Sequence, residues 1–361
     1  MNPTVVRLLR TGGPLVGLLA TWCLFAAMAG APFVAWHNQE LMLLQTAVVG
    51  TAAVGATWIV VSGGVDLSVG ASTALGTMVG ALVLRSGGSW PLAALATVAS
   101  VAAIGGVLGA LVVGMLVRVV LGGAAAAAVA MPLAASPGLA IPVAAAVFVA
   151  VVLATRRLGQ AQPLSPFIVT LGLWGALRGL AKGLGGNQPV YFPANDPLTS
   201  LMQPGPLLLP IGVWVMLGVA ALGAIGLRAT VFGRRVVALG SNRETARLCG
   251  VDVVRTELLV YVLGGACAGI AAVLQLSFLS MGDPTTAQGL ELKVIAAAVI
   301  GGASLRGGEG SIVGTLLGAL IMTVVDNGCT KLGLANWTQE VATGAIIVGA
   351  VALDRWRQQR G

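Results

Sequence analysis

The sequence predicts an all-α polytopic membrane protein, with about 10 core transmembrane helices in two related halves. Three observations predict it. Hydrophobic residues fill 57% of the 361 positions and charged residues only 9%. A soluble domain carries about 25% charged residues, so this chain cannot cover a soluble surface. Apolar stretches near the membrane-spanning length of about 20 residues recur along it. Residues 61–83 (VSGGVDLSVGASTALGTMVGALV) also match residues 299–321 (VIGGASLRGGEGSIVGTLLGALI) without gaps at 10 of 23 positions, five of them glycines. The shared feature is a backbone shape: a Gly-Gly break, then a helix with a small-residue face. Such internal repeats commonly build transport pathways.

In chain order, helices are expected near 14–35, 42–62, 67–85, 91–117, 166–184, 206–227, 255–280, 286–302, 311–328 and 338–354. The first contains Ala27-Met28-Ala29, which resembles a signal-cleavage site, but its apolar run is long for a signal peptide and reads as an uncleaved helix. Residues 119–155 are apolar yet lie between Arg118 and Arg156-Arg157. They are expected to form an extra hairpin, with arms 120–135 and 139–155 turning at Ser136-Pro137-Gly138. A shallow re-entrant loop is the alternative. Residues 185–205 read as a polar loop outside. Residues 228–255 read as a basic cytoplasmic loop, the longest polar stretch. Neither is large enough for a catalytic domain, so 1–361 reads as a single transmembrane domain.

The net charge of +8 does not indicate a nucleic-acid partner, because the basic residues are spread between apolar runs. With both termini in the cytoplasm and the spans alternating, 15 of the 20 lysines and arginines, from Arg7 to Arg360, fall on the cytoplasmic side. Only Arg85, Arg178, Lys182, Lys293 and Lys331 do not. The positive-inside rule decides the orientation.

Several motifs carry possible chemistry. Gly76/Gly80, Gly105/Gly109, Gly175/Gly179, Gly265/Gly269 and Gly314/Gly318 are small-xxx-small faces for close helix packing. Gly63-Gly64 breaks a helix, and Asp66 and Ser68 follow where the next begins. They read as N-cap groups or as the polar lining of a pathway. Glu291 and Lys293, two apart, do not share a helix face; Arg178 and Lys182, four apart, do. That second pair reads as snorkelling cations or as a site drawing a polar substrate. Residues 241–250 read as a short cytoplasmic helix capped by Ser241 or Asn242, with Glu244 in its first turn and Gly250 ending it. The four cysteines have no metal spacing and read as small buried hydrophobes. His37 reads as an interfacial residue. There is no phosphate loop, so no ATP hydrolysis on this chain, and no nucleophile–base pair for an intramembrane enzyme. Neither a cofactor nor a metal is expected.

Four segments carry a resemblance: GGVDLSVGAS at 63–72, PFIVTLGLWGALRGLAKGLGG at 166–186, GRRVVALGSNRETARLCGVDV at 233–253, and VIAAAVIGGASLRGGEGSIVGTLLGALI at 294–321. In order and spacing they resemble the permease subunit of a bacterial ABC sugar importer of the ribose/xylose/galactose type, over nearly the whole chain. The resemblance implies an inner-membrane location and a second permease copy forming a homodimer. It also implies a separate ABC ATPase subunit and a periplasmic sugar-binding protein. By position, Asn242, Arg243, Glu244, Thr245, Ala246, Arg247, Leu248 and Gly250 correspond to the coupling helix that engages the ATPase. Asp66, Ser68 and the segment 166–178, with Phe167, Thr170 and Arg178, correspond to helices near the pathway. Two features depart from the family: the length of 119–155, and Gly109-Ala110 where an Asn-Gly pair is common. Alternatives are an ABC importer permease for branched-chain amino acids or nucleosides, and a stand-alone secondary transporter.

Overall fold

Helices occupy every one of the expected core spans in the computed structural model, which describes residues 3–115, 164–193, 196–203 and 209–359, together with three isolated positions between 124 and 151. The hairpin expected over 119–155 lies almost wholly outside the described residues. The elements are α1 (Pro3–Ala29), α2 (Ala31–Val34), α3 (Trp36–Val61), α4 (Val69–Arg85), α5 (Trp90–Val112) and α6 (Pro166–Leu184). After β1 (Val190–Tyr191) and a 3-10 turn (Pro197–Met202) come α7 (Ile211–Ala229), α8 (Val231–Ser241), α9 (Arg243–Leu248) and α10 (Val253–Leu279). The chain then runs through β2 (Met281–Gly282), α11 (Leu290–Ile300), α12 (Ile312–Lys331) and α13 (Asn336–Gln359). Among the described residues seven helices are long and apolar enough to cross a membrane: α1, α3, α5, α6, α7, α10 and α12. The chain is a multi-pass, all-α membrane protein.

Three elements differ from expectation. The first span stops at Gly30, whose φ of 64° no ordinary helical residue adopts, and α3 begins at Trp36 rather than 42. The span expected at 286–302 is helical only over 290–300. Asp283 turns the chain before it by accepting a hydrogen bond from the Thr285 amide (2.8 Å), and Pro284 follows. The polar segment 185–205 is not all loop, because β1 pairs antiparallel with β2, Val190 opposite Gly282.

The centre is built by backbones in close approach. Beyond its polar first turns α3 presents no polar face and is buried along most of its length, as expected of a core helix. The expected glycine faces of α5 and α10 meet. A Cβ on Gly265 would lie 3.1 Å from the Gly105 Cα, and one on Gly109 would lie 3.2 Å from the Leu258 Cα. Gly314 and Gly318 of α12 lie against Gly301 and Ala297 of α11 in the same way. The Gly175/Gly179 face of α6 is the exception: among the described residues nothing within 4 Å would meet a side chain at either position. Two cysteine readings also fail, since Cys23 and Cys249 are exposed, while Cys329 is buried.

The repeat reads as the same order of parts with unequal spacing. Helices end at Val61 and Ile300 and resume at Val69 and Ile312. The two breaks touch: the Gly308 amide donates to the Val61 carbonyl (2.8 Å). The hydroxyls of Thr57 and Thr315, one from each half, also hydrogen-bond at 2.8 Å.

Candidate functional site

At one end of the bundle stands the stub α9. Its sequence dictates its shape locally. The Asn242 side chain accepts a hydrogen bond from the Thr245 amide (2.9 Å) and caps the first turn, where Glu244 also favours the positive helix end. At the other end Gly250 adopts φ 81°, and the Val251 amide returns to the Ala246 carbonyl at 3.0 Å, a glycine-terminated stop. Ala246 faces inward, while Leu248 is 86% exposed. Arg243 fixes the stub to the membrane body with a two-pronged bridge to Glu257 of α10, at 3.1 and 2.7 Å. The Glu257 side chain is only 6% exposed.

The preceding helix, α8, reaches deeper. Thr230 caps it by accepting from the Gly233 amide (3.0 Å). Near its far end, Gly240 packs on both helix breaks: a Cβ on Gly63 would come within 3.8 Å of the Gly240 Cα, and one on Gly307 within 2.9 Å. The stub is therefore continuous, through α8, with the two unwound segments of the repeat.

Above the breaks lies a buried polar cluster. Asp66 is not the N-cap of α4. Ser68 holds that position and makes no cap bond, and its amide and hydroxyl both donate to Asp66 Oδ1 at 2.7 Å. The Asp66 side chain closes its own turn instead. Glu291, on the first turn of α11, is buried against Gly70 of α4. The Trp174 indole of α6 donates to Glu291 Oε1 at 3.2 Å. One turn on, Arg178 Nη1 donates to the carbonyls of Pro284 (3.0 Å) and Thr286 (2.6 Å). Arg178 therefore does not snorkel towards the surface; it satisfies backbone carbonyls that the break before α11 leaves free, while Lys182 is exposed. Glu291 Oε2, Arg178 Nη2 and the Tyr261 hydroxyl are buried without a hydrogen-bond partner among the described residues. Ionisable groups are thus gathered beside the unwound segments, inside the helical body.

The structure brings Asp66, Ser68 and Arg178 into or beside this region. Phe167 is 54% exposed, whereas Thr170, one turn on, is buried and donates to the Phe167 carbonyl at 3.3 Å. Sequence reasoning does not reach Trp174, Glu257, or the pairing of Lys293 with Asp326 of α12. Trp174 had one usable signal, its position four residues before Arg178 on one helix face. The other partners come from distant elements.

Comparison with known proteins agrees with this architecture. Residues 40–351 match the family described as the permease component of the branched-chain amino acid transport system. Relatives include the ribose import permease protein RbsC of Escherichia coli K12, 33% identical over 89% of this chain and 87% of its own length. The probable ABC transporter permease protein YphD of the same organism is 41% identical over 54% of this chain and 58% of its own. Its L-arabinose transport system permease protein AraH is 35% identical over 54% of this chain and 60% of its own. The chain thus spans less than two thirds of YphD and AraH but most of RbsC. No solved structure matches significantly. On the match over 40–351 and the near full-length relation to RbsC, this chain belongs to that family of transport-system permease components.

Proposed function

We propose that this chain is the membrane-spanning subunit of an ATP-binding-cassette importer and forms the translocation path for a monosaccharide of the ribose, xylose or galactose kind. It works in a bacterial inner membrane with both termini in the cytoplasm. Its partners are a separate ABC ATPase docked at the stub, a periplasmic sugar-binding protein on the opposite side, and a second copy of itself. The single observation that carries the reading is the stub: a capped six-residue helix, with Leu248 exposed and Arg243 bridged to a buried carboxylate on α10. The names of the relatives, ribose and arabinose permeases, support the solute class. The glycine face of α6, uncovered among the described residues, is compatible with a second copy packing there.

In this mechanism the chain performs no bond chemistry. Closure of the ATPase pair displaces α9. The Arg243–Glu257 fork pulls α10, and α8 pushes on the paired breaks beside Val61 and Gly308. Rigid helices sliding over these unwound segments switch the path from outward- to inward-facing.

Uptake of radiolabelled pentoses by cells carrying the assembled transporter tests the reading. Gly250→Pro, which forbids the φ of 81°, and Glu244→Arg are each expected to reduce uptake at least about tenfold with normal membrane expression. That corresponds to about 1.4 kcal/mol of lost coupling. Full uptake by both variants removes the docking role from the stub. Orientation has its own measurement: a membrane-impermeant thiol reagent is expected to label the exposed Cys249 in inverted vesicles and not in spheroplasts. The family description also admits an amino-acid cargo, and uptake of L-leucine in place of pentoses would establish that reading.

A further inference from the structure

The end of the bundle opposite the stub holds a cavity of about 430 Å³ between α3, α10, α11, α12 and the start of α13. That volume lies in the range of small-molecule sites. Its polar wall includes five carboxamides, those of Gln45, Gln275, Gln288, Asn327 and Gln339, beside two threonines and three charged residues. The Gln45 and Gln288 side chains have no intramolecular hydrogen-bond partner among the described residues. Two of the charges on this wall, Lys293 and Asp326, neutralise each other in an ion pair; Lys331, at the last residue of α12, is exposed. Phe278 adds a ring to the wall.

The cavity is also tied to the moving parts. Gln275 Nε2 donates to the Thr286 hydroxyl (2.9 Å), on the unwound segment whose carbonyls Arg178 grips. Asn38 of α3 and Asn327 of α12 exchange amide hydrogen bonds at 2.8 and 3.0 Å at the cavity's edge, so displacement of either helix reshapes the wall.

The chemistry selects a ligand class. A carboxamide offers both donors and an acceptor, as a sugar hydroxyl does. The one lining cation without an ion-pair partner among the described residues, Lys331, is exposed, so water screens its attraction for an anion. A zwitterionic amino acid would have to separate Lys293 from Asp326. A neutral polyol meets the amides without breaking the pair and lays its C–H face on Phe278. We propose that this cavity is a binding station for a neutral, hydroxyl-rich small molecule on its way across the membrane; the inference rests on the import reading above and places the cargo within it.

The test uses the full-length protein in lipid nanodiscs and saturation-transfer-difference NMR, which detects weak ligands. The probes are D-ribose, L-arabinose and L-leucine. Both pentoses are expected to receive saturation and L-leucine is not. Gln288→Leu and Gln45→Leu keep the approximate volume and delete the amide, and each is expected to weaken pentose binding about tenfold, one or two hydrogen bonds' worth. Gln288 is exposed on the unwound segment, so its replacement does not threaten folding. Unchanged pentose binding in both variants, or saturation of L-leucine instead, overturns the proposal. Pentose uptake by the assembled transporter without pentose binding in nanodiscs sinks the station and leaves the import reading standing. Absence of both uptake and binding sinks the two together.

Discussion

Leucine at Gly105 is expected to remove folded protein from the membrane, whereas leucine at Gly175 is expected to leave the yield of folded protein unchanged. The two glycines sit in the same type of motif, but their surroundings differ. A Cβ at Gly105 would run into the Tyr261 carbonyl, with the Gly265 Cα 3.1 Å away. α10 cannot retreat, because its other side is pressed on α3: a Cβ at Gly55 would lie 3.0 Å from the Gly264 Cα. Overpacking commonly costs about 1–3 kcal/mol when side chains can rearrange. Here the obstacles are backbone on both sides, so the loss should exceed about 4 kcal/mol, in the exceptional range for one substitution. At Gly175 nothing among the described residues stands within 4 Å. Size-exclusion profiles of detergent-solubilised protein, with membrane yield, check both. Equal loss in the two variants would show that the α5–α10 contact does not govern folding. Dimer loss with intact monomer in Gly175→Leu would assign the α6 face to the second copy.

Arg243→Ala is expected to abolish coupled uptake and to destabilise the protein by about 3 kcal/mol. Breaking a buried ion pair costs about 3–5 kcal/mol because the remaining charge is left uncompensated. Glu257 is 6% exposed and Arg243 45% exposed, which places the loss at the lower end. Arg243→Lys should recover part of the stability, because an ammonium reaches the carboxylate but cannot reproduce the fork. The double replacement Arg243→Leu with Glu257→Leu separates structure from transmission. Removing both charges should restore the thermal midpoint, since paired apolar substitution is near neutral or stabilising. Uptake should stay lost while the ATPase still co-purifies. If uptake returns with stability, the fork is a structural tie and not a transmission element.

Features set by neighbouring residues were legible in the sequence. The Asn242 cap, Glu244 in the first turn and Gly250 as the stop occur where spacing put them, because each hydrogen bond closes within a few residues. The spans were legible because apolar length alone determines what can cross a bilayer. Asp66 was misread as a cap, although the turn it closes is also local; capping and turn-closing use the same residue types two positions apart. The Gly175/Gly179 stripe was indistinguishable from the packing stripes around it, since a motif does not record whether a neighbour is present.

The partners in the polar interior were not legible. Trp174 and Glu291 lie 117 residues apart, and Lys293 and Asp326 lie 33 apart. Sequence by itself determined that the chain is a membrane protein with two matching Gly-Gly helix breaks and an ordered polar stub, because hydropathy, glycine breaks and caps act over short distances. Only the tertiary structure decided which glycine faces meet, which charges pair, and that the two breaks touch through Val61 and Gly308. In a membrane body buried polar groups must find partners wherever the helices bring them, and that choice is made by packing across the whole fold.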